Sequence, residues 1–409
     1  MSATRTLVLV GVVVGGFSLR SATGSLAAVM DRVQHDLGMS PPVAGLLTAL
    51  PVISFAVVGA LTPRMARRHG PEWAMVVGLA AIVAGLAGRA AAPDGALFLL
   101  GSLLALAGAA VGNVVVPPLV KRHFPDRLGL LSGLYAMSAA AGVGIPAAVM
   151  APLSDALGGW RGGLAVWAPV AAIGLLVWLP VLRDARAEDV TPRTGPPLWR
   201  NRTALALTAY FGLQAIGGYG VSGWLAVIYI DAGVQPHTAG IYLAITAILA
   251  VPFMLGMPVL AARGPGWTSA LMIGIWVTVT AGYVGLMVAP ADHALLWALL
   301  LSAAHPGFSI AVVLIGLRSA TPASTARLSA MVQSGGYALA AVGPFAMAVL
   351  RGTSGSWTVP LLLLVVAAAA QLAVGLVAAR PGAVEQPDPG YPAERPDPGH
   401  PAEPAPIGR

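Results

Sequence analysis

Apolar residues run along this chain in twelve long stretches, and short polar or charged segments bracket each of them. Each stretch is close to the ~20 residues that an α-helix needs to cross a lipid bilayer. The pattern therefore predicts an all-α membrane protein with twelve transmembrane helices, at roughly residues 6–30, 41–63, 71–92, 95–119, 129–151, 160–181, 203–230, 237–261, 267–289, 293–317, 326–350 and 356–379.

The polar segments divide these helices into two sets of six. Residues 183–202 form the longest polar stretch before the C-terminal tail, and we expect a cytoplasmic linker there between bundles at 1–182 and 203–380. Residues 38–45, before the second span, resemble residues 233–240, before the eighth, at a shift of 195. Parallel repeats of this kind build many transporters. Residues 381–409 are rich in Pro, Asp, Glu and Gly, which predicts a disordered cytoplasmic tail.

Composition supports the membrane assignment and narrows the chemistry. The chain has 57% hydrophobic and only 10% charged residues, whereas a soluble chain has about 25% charged residues. It contains no cysteine, which excludes thiol catalysis and thiolate metal sites, and its seven His form no metal-site spacing. The net charge of +7 lies in short clusters between apolar runs, which indicates membrane topology and not nucleic-acid binding. We expect no cofactor and no metal.

Lys and Arg also predict the orientation of the chain. With the N-terminus inside, the external segments contain only Arg32, Arg89, Arg161 and Arg351, and nearly all other basic residues face the cytoplasm. The positive-inside rule then places both termini in the cytoplasm of a multi-pass plasma-membrane protein. The first stretch is long, contains Arg20 and is followed by many further spans, so we interpret it as a retained helix and not as a signal peptide.

One charge falls inside an apolar stretch. Arg20 lies near the middle of the first predicted helix, whereas all 16 Asp and Glu residues fall in loops, at span ends or in the tail. A charged side chain at that depth costs at least ~2.5–3.5 kcal/mol. A bound anion is the simplest compensation, because a guanidinium suits carboxylates and small oxyanions. We expect Arg20 to be the substrate anchor; the alternative is that it snorkels or bonds carbonyls of its own helix.

Other polar groups fall in the middle of the predicted spans. His305 titrates near neutral pH, so a coupling proton, a substrate contact and a structural helix contact are all open for it. Gln214 and Gln333 are the preferred pair, since both lie about eight to eleven residues from the cytoplasmic face in helical count. Each such group taken singly is more often a contact between helices. The predicted substrate-binding set is Arg20, Asn113, Gln214, Tyr219, His305, Gln333 and Tyr337.

Several segments resemble the cyanate-permease and nitroimidazole-transporter branch of the major facilitator superfamily, over roughly residues 8–380. They include residues 19–20, 45–51, 112–122, 211–214 and 333–337. The resemblance implies two six-helix bundles, a plasma-membrane location and transport of small, often anionic compounds. It raises five residues above the other polar groups: Arg20, Asn113, Gln214, Gln333 and Tyr337.

The loop between the second and third spans also resembles a superfamily motif. Gly59, Leu61, Arg64, Arg67 and Arg68 match a Gly-x-Leu-Ala-Asp-Arg-x-Gly-Arg-Arg pattern, but proline replaces its acid at position 63. The usual charge relay therefore does not carry over. The three arginines are expected to set topology or to meet helix C-termini at a gate.

These observations predict a secondary or facilitative transporter, not an enzyme, that moves a small anionic solute by alternating access. Its expected partners are the small solute and the bilayer, with no nucleic acid, and we expect a monomer. Coupling to a proton stays open. The alternative is proton-coupled efflux of drugs or metabolites such as nitroimidazoles, for which a membrane-buried carboxylate would be expected.

Overall fold

The computed structural model describes residues 3–27, 29–39, 41–184 and 197–384. Within these residues the chain is helical, without strands. The linker residues 185–196 and the tail residues 385–409 of the sequence prediction lie outside the described part. The helices are α1 Ala3–Ala27, α2 Met30–Asp36, α3 Pro41–His69, α4 Pro71–Ala90, α5 Gly95–His123, α6 Leu128–Ala156, α7 Trp160–Ala165, α8 Trp167–Asp184, α9 Arg202–Asp231, α10 Pro236–Ala261, α11 Pro265–Val288, α12 Ala294–Leu301, α13 Gly307–Leu317, α14 Pro322–Ala340, α15 Val342–Ser354 and α16 Thr358–Ala378.

The twelve predicted spans are confirmed. Eleven helical segments of the described part are long and apolar enough to cross a membrane, and α3, with 29 residues, is the remaining span. α2 is a short helix between the first two spans. Spans six, ten and eleven each consist of two helices, α7 with α8, α12 with α13, and α14 with α15.

Each of the three breaks lies four residues before a proline. A proline has no N–H for the carbonyl four residues before it, so a helix tends to stop there. Pro169 follows the end of α7 at Ala165 by four residues, and Pro344 follows the end of α14 at Ala340 by the same number. Pro306 has this relation to Ser302, where α12 gives way to a 3₁₀ turn. The break in span ten therefore falls at the level of His305.

Each half of the chain is held together by close helix contacts at glycine. α1 packs on α6, where a Cβ on Gly142 would lie 2.2 Å from the carbonyl oxygen of Phe17. A Cβ on Gly24 would lie 2.3 Å from the carbonyl oxygen of Val143. Small residues let helix backbones approach in a membrane, where hydrophobic driving force between helices is absent.

The two halves meet through α3, α5 and α6 of the first and α10, α13 and α14 of the second. We call the end where α1 begins the basic end, because the exposed Arg64, Arg67 and Arg68 lie there. The opposite end is the clamp end. Close approaches between the halves lie toward the basic end: a Cβ on Gly129 would be 2.7 Å from the carbonyl oxygen of Pro258.

The clamp end takes its name from one polar cluster in each half. Asp36 accepts hydrogen bonds from Arg161 (2.6 Å) and from the indole of Trp160 (3.0 Å). In the second half Asp231 accepts from Arg351 and from the indole of Trp357 in the same way. Asp231 follows Asp36 by the 195 residues of the sequence repeat, so the repeat extends to this contact.

Two basic residues differ from their expected environments. Arg89, counted among the external charges, is buried at the end of α4 and donates to the Ala22 carbonyl and the Ser25 hydroxyl, both at 2.8 Å. Arg318 donates to the carbonyls of Ala378 and Ala379. Its own carbonyl accepts from the N–H of the buried Val384, which lies after the predicted end of the second bundle.

Candidate functional site

Arg20 reaches the middle of the helical bundle from the first helix. Helical side chains point toward the helix N-terminus, so the guanidinium of Arg20 lies closer to the middle of α1 than its Cα atom does. Its Nη2 donates a 2.6 Å hydrogen bond to the hydroxyl of Tyr337 on α14. The two residues belong to opposite halves, so this contact crosses the interface between them.

Three aromatic rings surround the guanidinium. Its central carbon lies 5.0 Å from the ring centre of Phe55, 5.8 Å from that of Phe308 and 6.0 Å from that of Tyr337. The rings support each other, since Phe55 stacks on Tyr337 at 4.7 Å and Phe211 packs edge-on against Tyr337 at 5.1 Å. Cation–π attraction offsets part of the cost of placing Arg20 in the membrane. We call Arg20, Phe55, Phe308 and Tyr337 the arginine cage.

Asn113 and Tyr135 add a polar edge beside the cage. The Tyr135 hydroxyl donates to Oδ1 of Asn113, and both side chains are buried. This bond fixes the amide so that Nδ2, a donor, is buried without a partner among the described residues. Buried polar atoms normally have a hydrogen-bond partner, so an orphan of this kind marks a place for a ligand or water. Tyr135 is not a member of the predicted substrate-binding set.

Gln333 lies one helical turn from Tyr337 and faces the first half. Its Nε2 donates to the carbonyl oxygen of Asn113 at 2.8 Å and to the hydroxyl of Ser329 at 2.9 Å. Its Oε1 is buried without a partner in the described part of the chain. Gln214, its predicted companion, is buried on α9, where a Cβ on Gly307 would lie 3.2 Å from its own Cβ.

The remaining predicted site residues lie around this centre. Tyr219 is half-buried on α9. His305 stands at the break of span ten, where its Nε2 is 3.2 Å from the hydroxyl of Ser222 and its Nδ1 is buried without a partner among the described residues. Phe308 of the cage follows it by three residues.

Arg64, Arg67 and Arg68 are far from the cage, at the exposed end of α3. Two of them, Arg67 and Arg68, lie in the last helical turn, where positive charge is favourable. Glu72 at the start of α4 forms two ion pairs in this region. It contacts Arg122 at 3.3 Å and His123 at 3.0 Å, an arrangement that the sequence prediction missed.

Sequence comparison agrees with this architecture. The family profile of the Major Facilitator Superfamily matches residues 12–344. The chain belongs to the major facilitator superfamily. It is 31% identical to the 2-nitroimidazole transporter of Escherichia coli (strain K12), over 92% of this chain and 96% of that protein. It is 30% identical to the cyanate transport protein CynX of the same organism, over 84% and 89%.

The name of a third relative gives no substrate. This relative is the uncharacterized transporter YycB of Bacillus subtilis (strain 168), 33% identical over 91% of this chain and 93% of that one. This superfamily member is therefore a membrane transport protein of the cyanate-permease and nitroimidazole-transporter branch, as its sequence predicted.

Solved structures confirm the fold. The proton:xylose symporter XylE matches with a TM-score of 0.73 at 13% identity, over 92% of this chain and 95% of that one. The fucose:proton symporter FucP in the outward conformation matches with a TM-score of 0.69 at 16% identity, over 91% and 98%. At these identities the likeness extends to the fold alone.

Proposed function

We propose that this transporter moves a small anionic solute, such as cyanate, another small oxyanion or a short carboxylate, and that Arg20 holds the negative group. The observation that carries the proposal is the arginine cage. It contains a guanidinium whose described contacts are aromatic rings and one phenol, with no carboxylate among them. Such a cation gains more from an anion than one already paired with an acid.

The donors around the cage support the same ligand class. The guanidinium has five N–H groups, of which the described hydrogen bond to Tyr337 uses one. The Tyr337 hydroxyl accepts from Arg20 and keeps its own proton to donate, and the Nδ2 of Asn113 is a further donor. The guanidinium of Arg20, the hydroxyl of Tyr337 and the amide of Asn113 are all donors, which suits a ligand with several acceptor oxygens or nitrogens.

We also propose that the basic end faces the cytoplasm, by the positive-inside rule, with both termini there and the protein in the plasma membrane. The halves touch between the cage and that end, so access to the cage from the basic end is closed in this structure. Alternating access would then rock the bundles about the cage. Transport by a monomer is sufficient for this account, because both halves of the site come from one chain.

Transport into proteoliposomes tests the proposal. Purified protein is reconstituted, and counterflow of labelled cyanate, nitrite and acetate is measured for wild type, Arg20→Gln and Arg32→Gln. Arg32 is an exposed residue paired with Asp155 at the clamp end, so Arg32→Gln removes the same charge outside the site. We expect Arg20→Gln to abolish counterflow and Arg32→Gln to retain it. Retained counterflow in Arg20→Gln would refute the role of Arg20.

The second candidate is proton-coupled efflux of flat neutral compounds such as nitroimidazoles. Two observations favour it: the aromatic rings of the cage offer stacking surfaces, and His305 places a titratable group near the cage. Under this alternative, a proton gradient would drive 2-nitroimidazole transport, and His305→Gln would abolish the pH dependence. Under the anion proposal, His305→Gln retains cyanate counterflow, because its described side-chain partner is Ser222 and not a member of the cage.

A further inference from the structure

Span four contains a pair of adjacent prolines, Pro117 and Pro118, inside the continuous helix α5. A helical N–H bonds the carbonyl four residues before it, and proline has no N–H to offer. The two prolines therefore leave the carbonyls of Asn113 and Val114 without their normal partners within the helix. Both residues are buried, so each carbonyl needs a donor from elsewhere.

The opposite half supplies a donor to each of these two carbonyls. Nε2 of Gln333 bonds the carbonyl oxygen of Asn113 at 2.8 Å, and the hydroxyl of Ser329 bonds that of Val114 at 2.8 Å. Ser329 and Gln333 are four residues apart and lie on one face of α14. Tyr337, which bonds Arg20, continues the same face by another four residues.

Glycine permits the close approach that these bonds need. A Cβ on Gly59 of α3 would lie 2.8 Å from the hydroxyl oxygen of Ser334 on α14. The face of α14 therefore connects the arginine cage to a polar contact that joins the halves on the basic side of the cage.

We infer that Pro117, Pro118, Ser329 and Gln333 form a latch that holds the basic end closed, and that it must open in each transport cycle. The inference rests on the proposed alternating access, but not on Arg20 or on any substrate. The prolines are positioning residues, because they expose main-chain acceptors in one half to the side-chain donors of the other. Opening breaks both bonds and leaves each carbonyl without a donor until water reaches it.

The test is a double-mutant cycle on the conformational equilibrium. The chain has no cysteine, so Arg67→Cys and Arg263→Cys, both exposed at the basic end in different halves, can carry a spin-label pair. Pulsed electron resonance on the full chain in nanodiscs without substrate gives the ratio of closed to open states. Gln333→Met keeps the length of the side chain but removes its donor.

We expect Gln333→Met to shift this ratio about 5- to 100-fold toward the open state, because a buried carbonyl loses its donor. With Pro117→Ala the N–H of residue 117 can bond the Asn113 carbonyl. In that background, Gln333→Met should shift the ratio less than about threefold. A second cycle combines Pro118→Ala with Ser329→Ala, and it remains informative if Pro117→Ala does not fold.

Cross pairs and a remote proline are the controls. Pro117→Ala should couple more weakly with Ser329→Ala than with Gln333→Met. Pro117 frees the Asn113 carbonyl, which Gln333 bonds, whereas Ser329 bonds the Val114 carbonyl. Pro180 lies inside α8, which packs on α1, α4 and α7 of its own half, so Pro180→Ala should leave the Gln333→Met shift unchanged. Equal shifts in the wild-type and Pro117→Ala backgrounds would overturn the latch. A distance distribution that saturating cyanate, nitrite or acetate changes but no latch variant changes would overturn it as well. A single distance in every variant, with and without these anions, would instead refute alternating access and the latch with it.

Discussion

Replacing Tyr337 by Phe deletes one oxygen from the centre of the proposed site. The ring of residue 337 keeps its contacts, since Tyr337 stacks on Phe55 at 4.7 Å and packs against Phe211 at 5.1 Å through ring atoms. The change therefore removes the 2.6 Å hydrogen bond from Arg20 and a donor for the ligand, with little change in packing.

The magnitude differs between charged and neutral ligands. A hydrogen bond to a charged group contributes about 1.5–3 kcal/mol, and a neutral one about 0.5–1.5 kcal/mol. Because about 1.4 kcal/mol corresponds to a factor of ten, we expect Tyr337→Phe to weaken binding of an anion about 10- to 100-fold. A neutral ligand should lose only about two- to tenfold.

Binding to purified protein, followed by competition with a labelled ligand, measures both ratios. Tyr242→Phe is the matched control, because Tyr242 is a half-buried tyrosine on α10 whose described ring contact is Tyr229 and not the cage. Equal losses for anionic and neutral ligands would refute the assignment of Tyr337 as a donor to negative charge. A loss in Tyr242→Phe as large as in Tyr337→Phe would show that the effect is not local.

Two further predictions concern stability. Gly142→Ala should lower the unfolding temperature in detergent, because its Cβ would lie 2.2 Å from the Phe17 carbonyl oxygen. Overpacking of this kind costs about 1–3 kcal/mol of the free energy of unfolding. Gly144→Ala is the control, because the space around its Cβ is open, and it should leave the unfolding temperature unchanged. Hydrogen bonds from Arg161 and from the indole of Trp160 lower the pKa of Asp36. These bonds therefore stabilise the folded protein fully above the ordinary aspartate pKa, and this stabilisation is lost as the pH falls through the lowered pKa of Asp36. Asp36→Asn should therefore reduce stability at neutral pH, and the difference from wild type should shrink in acid.

The fold was predictable because bilayer thickness fixes helix length. Twelve apolar stretches of sufficient length leave few alternatives, and the structure confirms them to within a few residues. The breaks in spans six, ten and eleven, at Ala165, Ser302 and Ala340, each lie four residues before a proline, but the prolines inside α3, α5, α6, α8 and α10 cause no break, so proline positions alone do not locate the breaks.

The site was predictable only in part, because tertiary packing decides it. Arg20 was found from its charge in an apolar stretch, and Tyr337 from its position in a span. The three phenylalanines, Phe55, Phe211 and Phe308, come from three helices and carry no local signal that separates them from lipid-facing aromatics. The partners of the Asn113 and Val114 carbonyls likewise lie more than 200 residues away in the sequence.

Isothermal titration of purified wild type, Arg20→Lys and Arg20→Gln with cyanate, nitrite, acetate and neutral 2-nitroimidazole tests the central claim most directly. The account predicts that at least one anion binds wild type, that Arg20→Lys weakens it because the planar fork is lost, and that Arg20→Gln abolishes it. Binding of neutral 2-nitroimidazole should change far less. Anion binding of equal strength in wild type and Arg20→Gln, or binding of the neutral compound alone, would contradict the account.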